Sequence, residues 1–119
     1  MAEYLIYFNH QWVGDHTAEW YASRGPLAMA VVEEMKAAGV YLFAGGLEFD
    51  TSDAFAADAT SGTLLFTDGP YAETKEQLGG VTVVEVPDVE AARYWAGRLA
   101  EACGWPQEVR RFGAKPPNP

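Results

Sequence analysis

Residues 68–80 read DGPYAETKEQLGG, and their ionisable side chains, Asp68, Tyr71, Glu73, Lys75 and Glu76, crowd a short connection between two strand-like runs. Asp68-Gly69-Pro70 is turn chemistry: Gly tolerates positive φ, Pro presets its own φ, and an Asp carboxylate can accept backbone N–H groups of the turn. That local role for Asp68 takes precedence over catalysis. Lys75 and Glu76 are an adjacent base and acid. Buried, such a pair is costly unless mutually satisfied, and the lysine pKa falls; exposed, it contributes at most about 1 kcal/mol. A polar connection carried on a rigid scaffold is a common place for binding groups. Asp68, Thr74, Lys75 and Glu76 are therefore candidate rim residues of a ligand pocket, with a solvated loop and short helical turn as the plain alternative.

His10 and His16 are the histidines of this chain. Their spacing, with Asp15 and Glu19 nearby, matches no zinc pattern and no cysteine pair supports one, so no metal is expected. His16 is expected to cap the first helix or to line the entrance of a cavity beside it. There it could act as an acid or base near neutral pH, with Lys75 stabilising developing negative charge and Glu76 coupled to it; His10 ranks behind it. Trp12 and Trp20 flank this region and could line a pocket for a flat or apolar ligand, or pack in a core or interface. Trp95 reads as core. Gly45-Gly46 and Gly79-Gly80 match no phosphate or dinucleotide loop, so no cofactor is expected.

The elements that must position these groups fit one domain, residues 1–112, with a Pro-rich tail at 113–119. The chain has 119 residues, of which 49% are apolar. That suffices for one core burying roughly two-thirds of the unfolded surface. A net charge of −9 argues against nucleic acid and against anionic membrane surfaces. No run approaches a membrane span, and the start has no signal-type block, so a cytoplasmic protein is expected. Cys103 is the single cysteine and reads as a small buried filler rather than a nucleophile.

Residues 4–8 (YLIYF), 40–44 (VYLFA) and 81–86 (VTVVEV) read as strands, and 107–112 as an edge strand. Residues 53–57 and 63–67 read as a hairpin about Thr60-Ser61-Gly62. A helix begins near Ala18, capped by Thr17 or Asp15, and Gly25-Pro26 is expected to interrupt it. The next segment, 27–38, carries an apolar stripe of Leu27, Val31, Met35 and Ala38 and stops at Gly39. Asp88 caps a second helix with Val89, Ala92, Trp95 or Ala96, Leu99 and Cys103 on one face, stopped by Gly104. The order β-α-β, hairpin, β-α-β is the ferredoxin-like split arrangement, an α+β fold. With both helices on one face, the other apolar sheet face is expected to be covered by a second copy, in a homodimer.

TDGPYAETKEQLGG, followed by a strand and then VPDVEAARYWA, resembles the DGPF branch of the YCII-related family. That branch usually has Phe where Tyr71 stands. The resemblance runs from residue 4 to 112 and is specific over 67–96. It implies a dimeric α/β barrel of ferredoxin-like protomers. Some relatives are thought to use a His-Asp pair for small-molecule elimination. The corresponding position falls near Ala28, and no histidine occurs from Thr17 onward, so the pair does not carry over. The branch also implies a link to extracytoplasmic-function sigma factors. Three functions follow. The first is a small-molecule-binding domain, with cofactor-free elimination or isomerisation of a small organic acid or phenol as its chemistry. The others are a non-catalytic regulatory module in a sigma-factor pathway and a structural dimer without ligand.

Overall fold

The computed structural model describes residues 1–71 and 76–114. Strands β1 (Ala2–Asn9), β2 (Tyr41–Gly46), β3 (Phe55–Asp58), β4 (Leu65–Asp68), β5 (Leu78–Val86) and β6 (Glu108–Arg111) accompany helices α1 (Ala18–Ala37) and α2 (Val89–Cys103). The main sheet has the order β2-β5-β1-β6, and its neighbouring strands run antiparallel. This is the ferredoxin-like order, with β1 and β5 central. The register places Tyr4 opposite Val84 and Ile6 opposite Thr82.

Alternation along β1 and β5 sorts the sheet into two faces. Tyr4, Ile6, Val84 and Val86 are buried with Val31 and Met35 of α1 and with Ala92, Trp95, Ala96 and Leu99 of α2. Both helices therefore cover one face. A bidentate pair from Arg98 Nη2 to Glu34 Oε1 and Oε2, at 2.8 and 2.7 Å, ties them together on the outside. The opposite face carries Leu5, Tyr7, Val81 and Val83, half-buried, and Phe43, 57% exposed.

The caps follow the sequence. Trp20 N donates to Thr17 Oγ1 at 3.1 Å and Ala91 N to Asp88 Oδ1 at 2.8 Å. Gly39 and Gly104 take positive φ, at 74° and 85°.

Several boundaries differ from expectation. Gly25-Pro26 does not interrupt α1, which runs through Pro26. The missing N–H frees the carbonyl of Ala22, but Ala22 lies on the exposed side of the helix, where an unmet carbonyl costs little, while burial of Val31, Val32 and Met35 holds the helix. Leu27 and Ala38 are exposed, and Val32 takes a place in the buried stripe. Gly45-Gly46 and Gly79-Gly80 lie inside β2 and β5, pairing with Val81 and Gly80 and with the end of β1. Asp68 ends β4 opposite Phe55. The β3–β4 hairpin forms a separate two-stranded sheet. No helix among the described residues is long and apolar enough to cross a membrane.

Candidate functional site

The double glycines set the geometry at one end of the sheet. A Cβ on Gly79 would stand 2.6 Å from Phe8 Cε2 and 3.1 Å from His10 Nδ1, and one on Gly80 would stand 2.7 Å from Phe8 Cε1. The Phe8 ring thus lies directly on β5 backbone, where only glycine leaves room. A register shift between Phe8 and Asn9 ends the regular ladder there, and the chain turns into a short 3-10 segment, His10–Trp12. Gln77 pins this segment. His10 N donates to Gln77 O at 2.8 Å, and Gln77 N donates to Gln11 Oε1 at 2.9 Å.

On the helix side of that end lies a cavity of about 360 Å³. Its walls are Phe8, Ala44–Gly46 backbone and Thr82 from the sheet, Ala28, Met29 and Val32 from α1, and Leu99, Cys103 and Trp105 from α2 and its exit. A second hollow of about 820 Å³, bounded by His10, Asp15, Leu47 and Phe49, shares Phe8, Tyr21, Gly46 and Trp105 with the first. Ligand pockets run from about 300 to 1,000 Å³, so either is of the right size.

Two polar atoms stand out. His10 Nε2 and Trp105 Nε1 are buried and have no hydrogen-bond partner among the described residues. Such groups are rare in folded proteins, because an unmet donor or acceptor costs about 1–3 kcal/mol. Rings enclose both. Phe49 meets His10 edge-on with centroids 5.1 Å apart, and Trp105 lies 4.9 Å from Phe8 and 6.0 Å from Trp20. Cys103, in the cavity wall, has its thiol pKa pushed up to about 11 by burial, with the Arg24 charge pulling the other way.

His16 is exposed, stacks on Trp20 at 3.5 Å between centroids and bonds Val13 O through Nε2 at 2.9 Å. Gly14, at φ 82°, is what lets this loop fold back. Tyr21 Oη donates to Gly14 O at 2.6 Å and accepts from His16 N at 3.1 Å. Neither histidine forms a three-residue metal cluster among the described residues.

Trp20 stands behind the cavity wall, between His16, Tyr21 and Trp105. Trp12 packs against Tyr7, 6.1 Å away, and lines neither hollow. Asp68 is exposed. Thr74 and Lys75 lie outside the described residues, so the expected Lys75–Glu76 pair does too. Glu76 is exposed and adds its negative charge near Tyr7. The Tyr7 pKa is raised first by a hydrogen bond to Glu108, at 2.5 Å, and also by Glu76. Arg24, Trp105 and Phe8 were not singled out by sequence reasoning. Trp105 carries one signal, its place directly after the left-handed helix stop. The role of Phe8 needs the β1–β5 register.

No curated protein matches this chain. Among solved structures it is similar to 5-chloro-2-hydroxyhydroquinone dehydrochlorinase from Burkholderia phenoliruptrix in complex with 2,5-dihydroxybenzoquinone. Sequence identity is 14%, the TM-score is 0.51, and the match covers 95% of each chain. That likeness is one of fold. The sequence profile of the YCII-related domain matches residues 6–104, nearly the whole folded part, and the chain belongs to the YCII-related domain family.

Proposed function

We propose that this protein binds a small organic acid or phenol in the hollow between its helices and sheet. The observation that carries the reading is a pair of buried, unpartnered nitrogens on residues at these hollows: Trp105 Nε1, whose ring borders both, and His10 Nε2, whose ring borders the second. A ligand oxygen would satisfy groups that the protein leaves unmet. The Burkholderia protein, of similar fold, is a dehydrochlorinase holding a dihydroxylated quinone, which supports a flat oxygenated ring as ligand. The screen is a thermal shift series with small aromatic acids and hydroxylated rings. Binding to the folded state raises the melting temperature, and no shift with any of them at millimolar concentration refutes the reading.

If the site is catalytic, its chemistry is cofactor-free elimination or isomerisation. In an elimination a base takes one proton and the leaving group departs with the bonding electrons, so no redox partner is needed. His10 is the better base on geometry, because the His16 Nε2 is already engaged with Val13 O. Chloride release from chlorinated hydroquinones is the assay. His10→Ala should lower turnover about 10²–10⁴-fold as a lost general base, with His16→Ala close to wild type.

We also propose a homodimer through the open sheet face. Phe43, Leu5, Val81 and Val83 form its apolar surface, and a second copy would cover them. Light scattering that gives the 13.0 kDa protomer mass at micromolar concentration refutes this.

A further inference from the structure

Arg24 is the one charged residue among the described residues that line the 360 Å³ cavity, in a chain whose net charge is −9. Its guanidinium is held in place. The Cζ atom sits 4.7 Å over the Trp20 ring, and Nε donates to Ser23 Oγ at 3.0 Å, which in turn donates to Trp20 O at 2.5 Å. Stacking and this bond fix the guanidinium plane and use its Nε–H. The Nη groups make no ion pair with any carboxylate of the described residues. Gly104 lets the Trp20 ring that carries this stack lie close: a Cβ there would stand 2.9 Å from Trp20 Cζ2. The Arg24 charge is felt at the Cys103 thiol across the cavity wall. Trp105, whose ring borders this cavity, carries a buried, unpartnered Nε1–H, a group that can only donate.

An apolar hollow whose fixed polar groups include an unpaired guanidinium and a free indole N–H, and whose described lining holds no carboxylate, is matched to an anionic oxygen on an apolar body. We infer that Arg24 is the anion anchor of this cavity. It takes the carboxylate of a small aromatic acid, or the phenolate of an ionised phenol, on its Nη edge. The ring then lies against Phe8, Met29, Val32 and Leu99. This rests on the ligand-binding reading above and adds to it the charge of the ligand and the residue that selects it.

The test compares benzoate with its neutral isostere benzamide by titration calorimetry. 4-Nitrophenol, titrated below and above its own ionisation, is the second probe. Wild-type protein should prefer benzoate over benzamide by about 10- to 100-fold, the scale of a charge-assisted hydrogen bond. Arg24→Gln should abolish that preference while binding benzamide within about twofold of wild type, which also shows that the variant cavity is intact. Arg24→Lys should retain part of it, since the charge stays and the fork is lost. Preference for ionised over neutral 4-nitrophenol in wild type alone identifies phenolate as a second source of the anion. Equal affinity of wild type for benzoate and benzamide overturns the anchor but leaves the pocket standing. So does an undiminished benzoate preference in Arg24→Gln. No binding of any probe overturns both the anchor and the reading it rests on.

Discussion

The Phe8 ring on Gly79 and Gly80 gives the sharpest test of how this site is built. An alanine at position 80 would put its Cβ 2.7 Å from Phe8 Cε1, 3.0 Å from Cζ and 3.4 Å from Gly45 O. Carbon atoms rest at about 3.5–4.0 Å, so the ring must give by roughly 1 Å. It has little room, because Trp105 stands 4.9 Å away between centroids. Overpacking costs about 1–3 kcal/mol. Against this, removing a glycine from a strand regains about 0.5–1 kcal/mol of chain entropy. Gly80→Ala should therefore destabilise by about 0.5–2 kcal/mol, measured by urea unfolding. The same Cβ in a Phe8→Leu background meets no ring edge, so the double-mutant cycle should show a coupling of about 1 kcal/mol or more. Because Phe8 walls both hollows, Gly80→Ala should also weaken any ligand that raises the melting temperature of wild type. Additive effects of the two substitutions, or a Gly80→Ala protein as stable as wild type, would refute the close-approach argument.

Gly69 has φ 85° with open space around its Cβ position, so Gly69→Val should cost about 1–3 kcal/mol through backbone strain alone; an unchanged melting temperature refutes this. Cys103, with its thiol raised to about 11, should resist alkylation at pH 7–8 in native protein and react promptly in urea, as mass spectrometry would read. Equal rates in both states would place the thiol in solvent. Tyr7 should titrate above its ordinary value of 10.0 in ultraviolet absorbance, and Glu108→Gln should bring it down. The sign follows from the raised pKa. The neutral phenol is favoured in the folded state, so its contribution to stability is complete below pH 10 and is lost as pH rises through the folded value. A normal titration in wild type contradicts the bond.

Local chemistry made much of this protein legible from its sequence. Thr17 and Asp88 accept the N–H groups they were expected to accept. Gly39, Gly69 and Gly104 adopt positive φ, and the expected α2 stripe is buried from Ala92 through Trp95, Ala96 and Leu99 to Cys103, whereas Val89, in the first turn, is exposed. Each of these depends on residues a few positions apart, and the strand–helix order leaves few topologies. Gly25-Pro26 does not break α1, because tertiary burial further along the helix outweighs a local break. The candidate site lay further out of reach. Phe8 meets Gly79 and Gly80, and Arg24 meets the wall formed by Cys103 and Trp105, across some seventy to eighty positions of sequence. Sequence could nominate histidines. Only the fold decided that the His16 ring is spent on Trp20 and Val13 while the His10 Nε2 is left buried without a partner. Caps and stripes are written in short-range spacing, whereas a cavity is defined by which distant side chains stop short of filling it.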